Sequence, residues 1–176
     1  IARRQRQMCI RDSNWGMLFR DIGVAWFASV YSAFIVFFAK IFNKKSIIIV
    51  GGADVIKDPT LGYGLLLSNW KKIFVKYAIK NATHVLPTSD FLSIASIQVG
   101  QYKGGNITVI YPGLHPSVWK QGKKRERLVL SVAHCETGDR IIIKGFDLVI
   151  KIAEEMSDVQ FKIVGVEPQL LSELGI

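Results

Sequence analysis

Two cations, Arg140 and Lys144, stand four residues apart between an apolar segment and a run with helical periodicity. The run predicts a helix that begins near Gly145, and the N-terminus of a helix carries partial positive charge that disfavours cations. Such a terminus binds anions through its backbone N–H groups, and a glycine lets a ligand come close to the backbone. The pattern therefore predicts a phosphate or diphosphate held by Arg140, Lys144 and Gly145; the alternative is that both cations are simply solvated.

The 176-residue chain is apolar enough to build a core and strongly basic, with a formal net charge of +9. That charge favours an anionic partner, either a phosphate compound, a nucleic acid or an anionic membrane surface; the alternative is a solvated basic surface. Cys9 and Cys135 give no disulfide framework and no metal-ligand spacing, so a reducing, cytoplasmic setting is expected. The sequence has no Gly-x-Gly-x-x-Gly or P-loop pattern, which argues against a nicotinamide or Walker-type site.

Residues 8–13, Met-Cys-Ile-Arg-Asp-Ser, resemble a translated sequencing adapter rather than a protein segment. On this interpretation residues 1–13 are not native, and the native part begins at Asn14. The alternative is a natural basic arm, which would predict nucleic-acid binding. The rest of the chain stays basic on either interpretation.

The charge-free run at residues 22–39 is long enough for a transmembrane helix. We favour a buried strand at 24–27 followed by a buried helix at 32–42, because another strand follows at once. Further strands are predicted at 46–50, 85–87, 106–113, 128–133 and 159–166, and further helices at 65–81, 89–99, 146–156 and from 168 onward. This alternation predicts an α/β fold with parallel sheets. The helix at 65–81 is basic and amphipathic, so it is either an outer helix of the domain or a membrane-surface helix.

The order of these segments resembles that of family 4 glycosyltransferases, which have the GT-B fold. The resemblance rests on the stretches "FFAKIFNKKSIIIVGGADV", "KYAIKNATHVLPTSDFLS", "ITVIYPGLHPSVW" and "KGFDLVIKIAEEM", the last followed by "VQFKIVG". It covers roughly residues 26–166 and implies two incomplete Rossmann-like domains, truncated at both ends. Residues 14–116 would be the back part of the acceptor domain, 117–127 a linker, and 128–176 the start of the donor domain.

The resemblance implies a hexosyltransferase-type enzyme that moves a sugar from a nucleoside-diphosphate sugar to an acceptor, either a sugar, a lipid or another small molecule. It assigns Arg140 and Lys144 to the donor diphosphate. It also lets Asp54 approach the donor sugar as a candidate catalytic residue; a plain turn or N-cap role is the alternative. His134 and Glu136 lie in the same loop as the two cations and receive no role.

No metal is expected, because the two cations would do the work of a metal and no Asp-x-Asp pattern is present. No other cofactor is expected, and no nucleic acid either, because the basic linker has no aromatic ladder beyond Trp119. A cytoplasmic enzyme with peripheral membrane contact is expected, inactive as this fragment alone. The sequence departs from the family at Leu114-His115 and lacks its glycine-rich loop and paired glutamates. Two other functions stay open: a non-catalytic phosphate- or nucleotide-binding α/β module, and a membrane protein that spans at 22–39.

Overall fold

The structure, a computed structural model, describes residues 19–118 and 127–173. Contacts divide the chain into two compact units, with the boundary between Leu114 and His115. Each unit combines helices with a small parallel sheet, which confirms the predicted α/β class. The segment 1–13, interpreted as non-native, and most of the predicted linker at 117–127 lie outside the described residues.

The first unit contains a parallel sheet in the order β1–β2–β3. Its elements are the strands β1 (Ile22–Trp26), β2 (Lys45–Val50) and β3 (His84–Pro87), and the helices α1 (Val30–Ile41), α2 (Asn69–Asn81) and α3 (Asp90–Gly100). The strand and helix predicted within the charge-free run at 22–39 are therefore both found. None of the helices among the described residues is long and apolar enough to cross a membrane.

The core of the first unit lies on one face of this sheet. Ile48, Val50 and Val85 are fully buried on that face, where alternate strand residues pack against all three helices. The opposite face carries Val24 and Trp26, which pair in register with the neighbouring β2 residues and are both 58% exposed. The helices are thus confined to one side of the sheet in the described part of the chain.

The strand predicted at 106–113 is wrong, because this segment contains no regular strand, although Ile107 forms an isolated parallel bridge with Val85. Asn106 and Thr108 exchange hydrogen bonds with the backbone of Val85, at 2.8 and 3.0 Å. The next ladder donor on β3 would be Pro87, which has no N–H group. Pro87 still accepts a hydrogen bond from the N–H of Ile110 at 2.9 Å, but it cannot return one, so the segment runs beside β3 without a complete ladder.

The single helix predicted at 65–81 is two pieces. A 3₁₀ turn at Leu65–Leu67 comes first, and α2 begins only at Asn69. Ser68 separates them with extended backbone angles (φ −92°, ψ 114°), as expected for an N-cap residue. The prediction failed here because the apolar periodicity continues through the break.

The second unit contains two parallel strands joined through helices, which confirms the predicted β-α-β order. Its elements are the strands β4 (Leu128–Cys135) and β5 (Gln160–Val166), and the helices α4 (Gly138–Lys144), α5 (Phe146–Glu155) and α6 (Pro168–Glu173). Its small core is built on Cys135, Ile141 and Phe146, all buried. This core holds α4 and α5 against the carboxyl end of β4.

Candidate functional site

A cavity of about 300 Å³ lies at the carboxyl end of β4. Ligands of open parallel sheets bind at this end of the strands. Residues from the end of β4, the turn after it and α4 line the cavity: Val132, Ala133, His134, Glu136, Arg140 and Lys144. The structure therefore brings together the two cations that the sequence singled out, and it places His134 and Glu136 beside them.

Arg140 and Lys144 lie on a helix, so the predicted polar loop from His134 to 144 is wrong. Strand β4 runs on to Cys135, and α4 begins at Gly138 after an extended Thr137 (φ −141°, ψ 155°). Positions four apart on a helix face the same way, which explains why both cations reach one cavity. The local reason for the helix is Ile141, which is buried in the core of the unit.

The helix also changes the electrostatics of the two cations. Lys144 is the last residue of α4, and the C-terminus of a helix carries partial negative charge that favours a cation. Asp139 lies in the first turn of α4, where a carboxylate offsets the partial positive charge of the helix N-terminus. The helix dipole therefore disfavours the two cations less than the sequence indicated. Any anion in the cavity is bound chiefly by their side chains.

Gly145 does not line the cavity. Its φ of 72° is left-handed, and it ends α4 and begins α5 in the same residue. Its N–H group caps α4 by donating to the carbonyl oxygens of Ile141 and Ile142. In the described geometry Gly145 connects two helices. Its position does not support the predicted contact with a ligand.

Neither cation is neutralised by a carboxylate in the described residues. Ion pairs there join Lys44 to Asp21 and Arg127 to Asp158, and the imidazole of His134 lies against the carboxylate of Glu136. The last pair lies in the cavity itself, with 2.8 Å between Nε2 of His134 and Oε1 of Glu136. The carboxylate of Glu136 therefore adds negative charge to the cavity while it is engaged by its neighbour.

The lining residue Ala133 packs closely against the backbone of β5. Gly165 has a φ of 91°, and a Cβ atom there would lie 2.5 Å from the carbonyl oxygen of Ala133, a lining residue. A larger residue could not occupy this position without moving β4. On the other side, the buried Cys135 lies with its Sγ atom 3.5 Å from the carbonyl oxygen of Arg140, so it supports the first turn of α4.

Asp54, the candidate catalytic residue, lies just after β2 in the first unit and is only 1% exposed. Its Oδ2 atom accepts a hydrogen bond from the N–H of Ala28, and its Oδ1 atom accepts one from the N–H of Gly52, both at 2.8 Å. Burial raises the pKa of the Asp54 carboxyl, and these bonds oppose the rise. Because backbone donors occupy both oxygens, the geometry favours the turn-stabilising role over the catalytic one.

Comparison with protein-family models and with curated proteins found no match to this chain. Within residues 19–118 and 127–173, no group of three or more His, Cys, Asp or Glu side chains could hold a metal ion. What the cavity can do therefore follows from its own residues. It offers one planar cation, one mobile cation and an imidazole–carboxylate pair at the carboxyl end of a parallel strand.

Proposed function

We propose that this chain is part of a nucleotide-sugar-dependent glycosyltransferase of GT-B type, and that the cavity binds the donor diphosphate. The observation that carries the proposal is that Arg140 and Lys144 line one cavity from the same face of α4, with no carboxylate partner among the described residues. The first unit would belong to the acceptor domain and the second to the donor domain. Both would be Rossmann-like domains, consistent with their parallel sheets.

The two cations suit a diphosphate in complementary ways. A guanidinium group can bind two phosphate oxygens at once, whereas an ammonium group acts as a mobile point charge. Their spacing of one helical turn lets each contact a different phosphate group. A cavity of about 300 Å³ is at the lower end of the range of small-molecule sites, so it would hold the diphosphate and not the whole donor.

In the proposed reaction, the bond between the anomeric carbon of the sugar and the diphosphate oxygen breaks, and its electron pair stays on that oxygen. The acceptor oxygen forms a new bond to the anomeric carbon, and the acceptor proton ends on the released diphosphate or in water. Negative charge grows on the leaving diphosphate in the transition state. In this proposal Arg140 and Lys144 lie beside the leaving diphosphate, so their positive charges stabilise the transition state and lower the barrier.

Binding tests this proposal on the chain itself. We expect UDP, GDP or ADP to bind more tightly than the matching monophosphate in calorimetric titrations. Lys144→Ala should weaken diphosphate binding at least tenfold, because a charge-assisted hydrogen bond contributes about 1.5–3 kcal/mol. Lys151→Ala is the matched control, since Lys151 is exposed on α5 and does not line the cavity.

Equal loss of affinity in the two variants, or none in Lys144→Ala, would contradict the proposal. Transfer is then assayed in a protein that carries this chain together with a complete donor domain. There, Lys144→Ala should lower the rate of sugar transfer. Diphosphate binding without any sugar transfer would instead identify the non-catalytic binding module.

A further inference from the structure

The outer surface of α1 and α2 is more apolar than a solvent-facing surface requires. On α1, Phe37 and Ile41 are 45% and 57% exposed, and on α2, Trp70 and Ile73 are 52% and 68% exposed. The inner sides of both helices already supply the core, so these outer side chains contribute little to it. A helix that is apolar on both its inner and outer sides is normally buried, either in a protein or in lipid.

These outer side chains are contiguous. A groove of about 280 Å³ runs between the two helices and is lined only by apolar and aromatic side chains: Ala33, Phe34, Phe37, Ile73, Phe74 and Tyr77. Trp70 lies one turn before Ile73 and Phe74, and its ring packs edge-on against that of Phe74. We call this set of outer side chains, with Ile41 and Trp70, the α1–α2 surface.

Lysine is the only acidic or basic residue type, histidine aside, in the segments that contain α1 and α2. Residues 22–53 and 59–89 contain both helices and hold no Asp or Glu. They hold seven lysines: Lys40, Lys44, Lys45, Lys71, Lys72, Lys76 and Lys80. Of these, Lys44 pairs with the carboxylate of Asp21 in the described structure. Lys80 follows Tyr77, an outer residue of α2, by one turn and so flanks the apolar side chains, whereas the ammonium group of Lys76 donates a hydrogen bond to the side-chain oxygen of Gln101 beyond α3.

We propose that the α1–α2 surface binds the surface of an anionic phospholipid membrane, with both helices lying in the interface. The exposed phenylalanine, isoleucine and tryptophan side chains would enter the boundary of the acyl chains, and the lysines would reach the phosphate headgroups. Tryptophan and tyrosine favour this depth of a bilayer, which suits Trp70 and Tyr77. The absence of carboxylates from the two segments argues for a uniformly anionic partner, and the apolar groove argues against a nucleic acid. This inference uses the first unit alone and does not depend on the donor site.

Vesicle binding tests this surface with the whole chain. We expect the chain to co-sediment with vesicles of phosphatidylcholine mixed with phosphatidylglycerol, to bind vesicles of pure phosphatidylcholine weakly, and to lose binding as salt is raised. Lys80→Gln should lower the partition coefficient about fivefold. Ile73→Ser should also lower it, and because Ile73 is largely exposed, the variant keeps its fold. Trp70→Phe should abolish the blue shift of tryptophan emission on vesicle addition.

Three variants outside the surface serve as controls. Lys103→Gln removes an exposed lysine beyond α3, Val24→Ser removes an exposed apolar side chain from the opposite face of the sheet, and Trp26→Phe matches Trp70→Phe. All three should bind anionic vesicles like the parent chain. The proposal is overturned if these controls and the α1–α2 variants behave alike, or if binding is independent of phosphatidylglycerol. Self-association that Ile73→Ser abolishes, with no vesicle binding, would assign the surface to a second copy of the chain instead.

Discussion

At the scale of single residues, the candidate site is a balance of charges in a small cavity. Arg140 and Lys144 supply two positive charges, and Glu136 supplies one negative charge that His134 already engages. The sequence predicted that both cations bind one anion, but it placed them in a loop before a helix, whereas they lie one turn apart on α4. It could not show that His134 and Glu136 pair with each other, since two side chains at the end of a strand can also diverge.

This balance predicts the effect of removing the negative charge. Glu136→Gln keeps the size of the side chain and should strengthen nucleoside diphosphate binding by up to about fivefold, because exposed charge–charge interactions contribute about 0.2–1 kcal/mol. Calorimetric titration at two salt concentrations measures the change, and the gain should shrink at high salt. Asp147→Asn is the control, since Asp147 lies on α5 and does not line the cavity. A weaker diphosphate affinity in Glu136→Gln would mean that the cavity does not receive an anion.

At the scale of elements, the accuracy of the sequence predictions followed the strength of the local signals. The strand at β2 was predicted because a strand buried in a parallel sheet reads as a continuous β-branched run. Helix α4 was missed because Ile141, Ile142 and Ile143 are β-branched residues with low helix propensity. Burial of Ile141 in the core outweighs that propensity, and no local pattern reports burial. The strand predicted at 106–113 was wrong because Pro87, which lies in β3 and not in that segment, has no N–H group to donate.

The ends of β1 and β2 are held together by Asp54, and this clamp can be tested. Asp54→Asn should destabilise the protein by about 1–3 kcal/mol. The carboxylate accepts hydrogen bonds from two backbone N–H groups, and the amide NH₂ group of asparagine would face one of these donors without being able to accept from it. Chemical denaturation measures the free energy of unfolding. Asp21→Asn is the exposed control and should change it little.

The pH dependence of the two aspartate variants should have opposite signs. Burial raises the pKa of Asp54 in the folded state above the unfolded value of 3.8, so its carboxyl binds more protons when folded. The stability of the parent chain relative to Asp54→Asn should therefore increase as the pH falls from neutral toward that value. Lys44 lowers the pKa of Asp21, so the stability of the parent chain relative to Asp21→Asn should decrease as the pH falls through the acidic range. The same sign in both comparisons would contradict the account of Asp54.

At the scale of the whole molecule, the positive charge of the chain is divided between two proposed binding surfaces. Lysines of the first unit surround the α1–α2 surface, and two cations of the second unit line the cavity. The α/β class was predictable because strands and helices alternate regularly along the sequence. The partner of each basic region was not predictable, because net charge indicates the sign of a partner's charge and not its chemistry. Which residues share a cavity depends on packing that the sequence leaves open.

The most direct test of the central claim is to locate a bound nucleoside diphosphate on the chain by amide NMR. We predict that UDP, GDP or ADP shifts the amide signals from Glu136 to Lys144, and that Lys144→Ala removes these shifts. The signals of α2, which carries four lysines, should not move under the same conditions. Shifts confined to α2, or shifts at α4 that persist in Lys144→Ala, would contradict a diphosphate site built on Arg140 and Lys144.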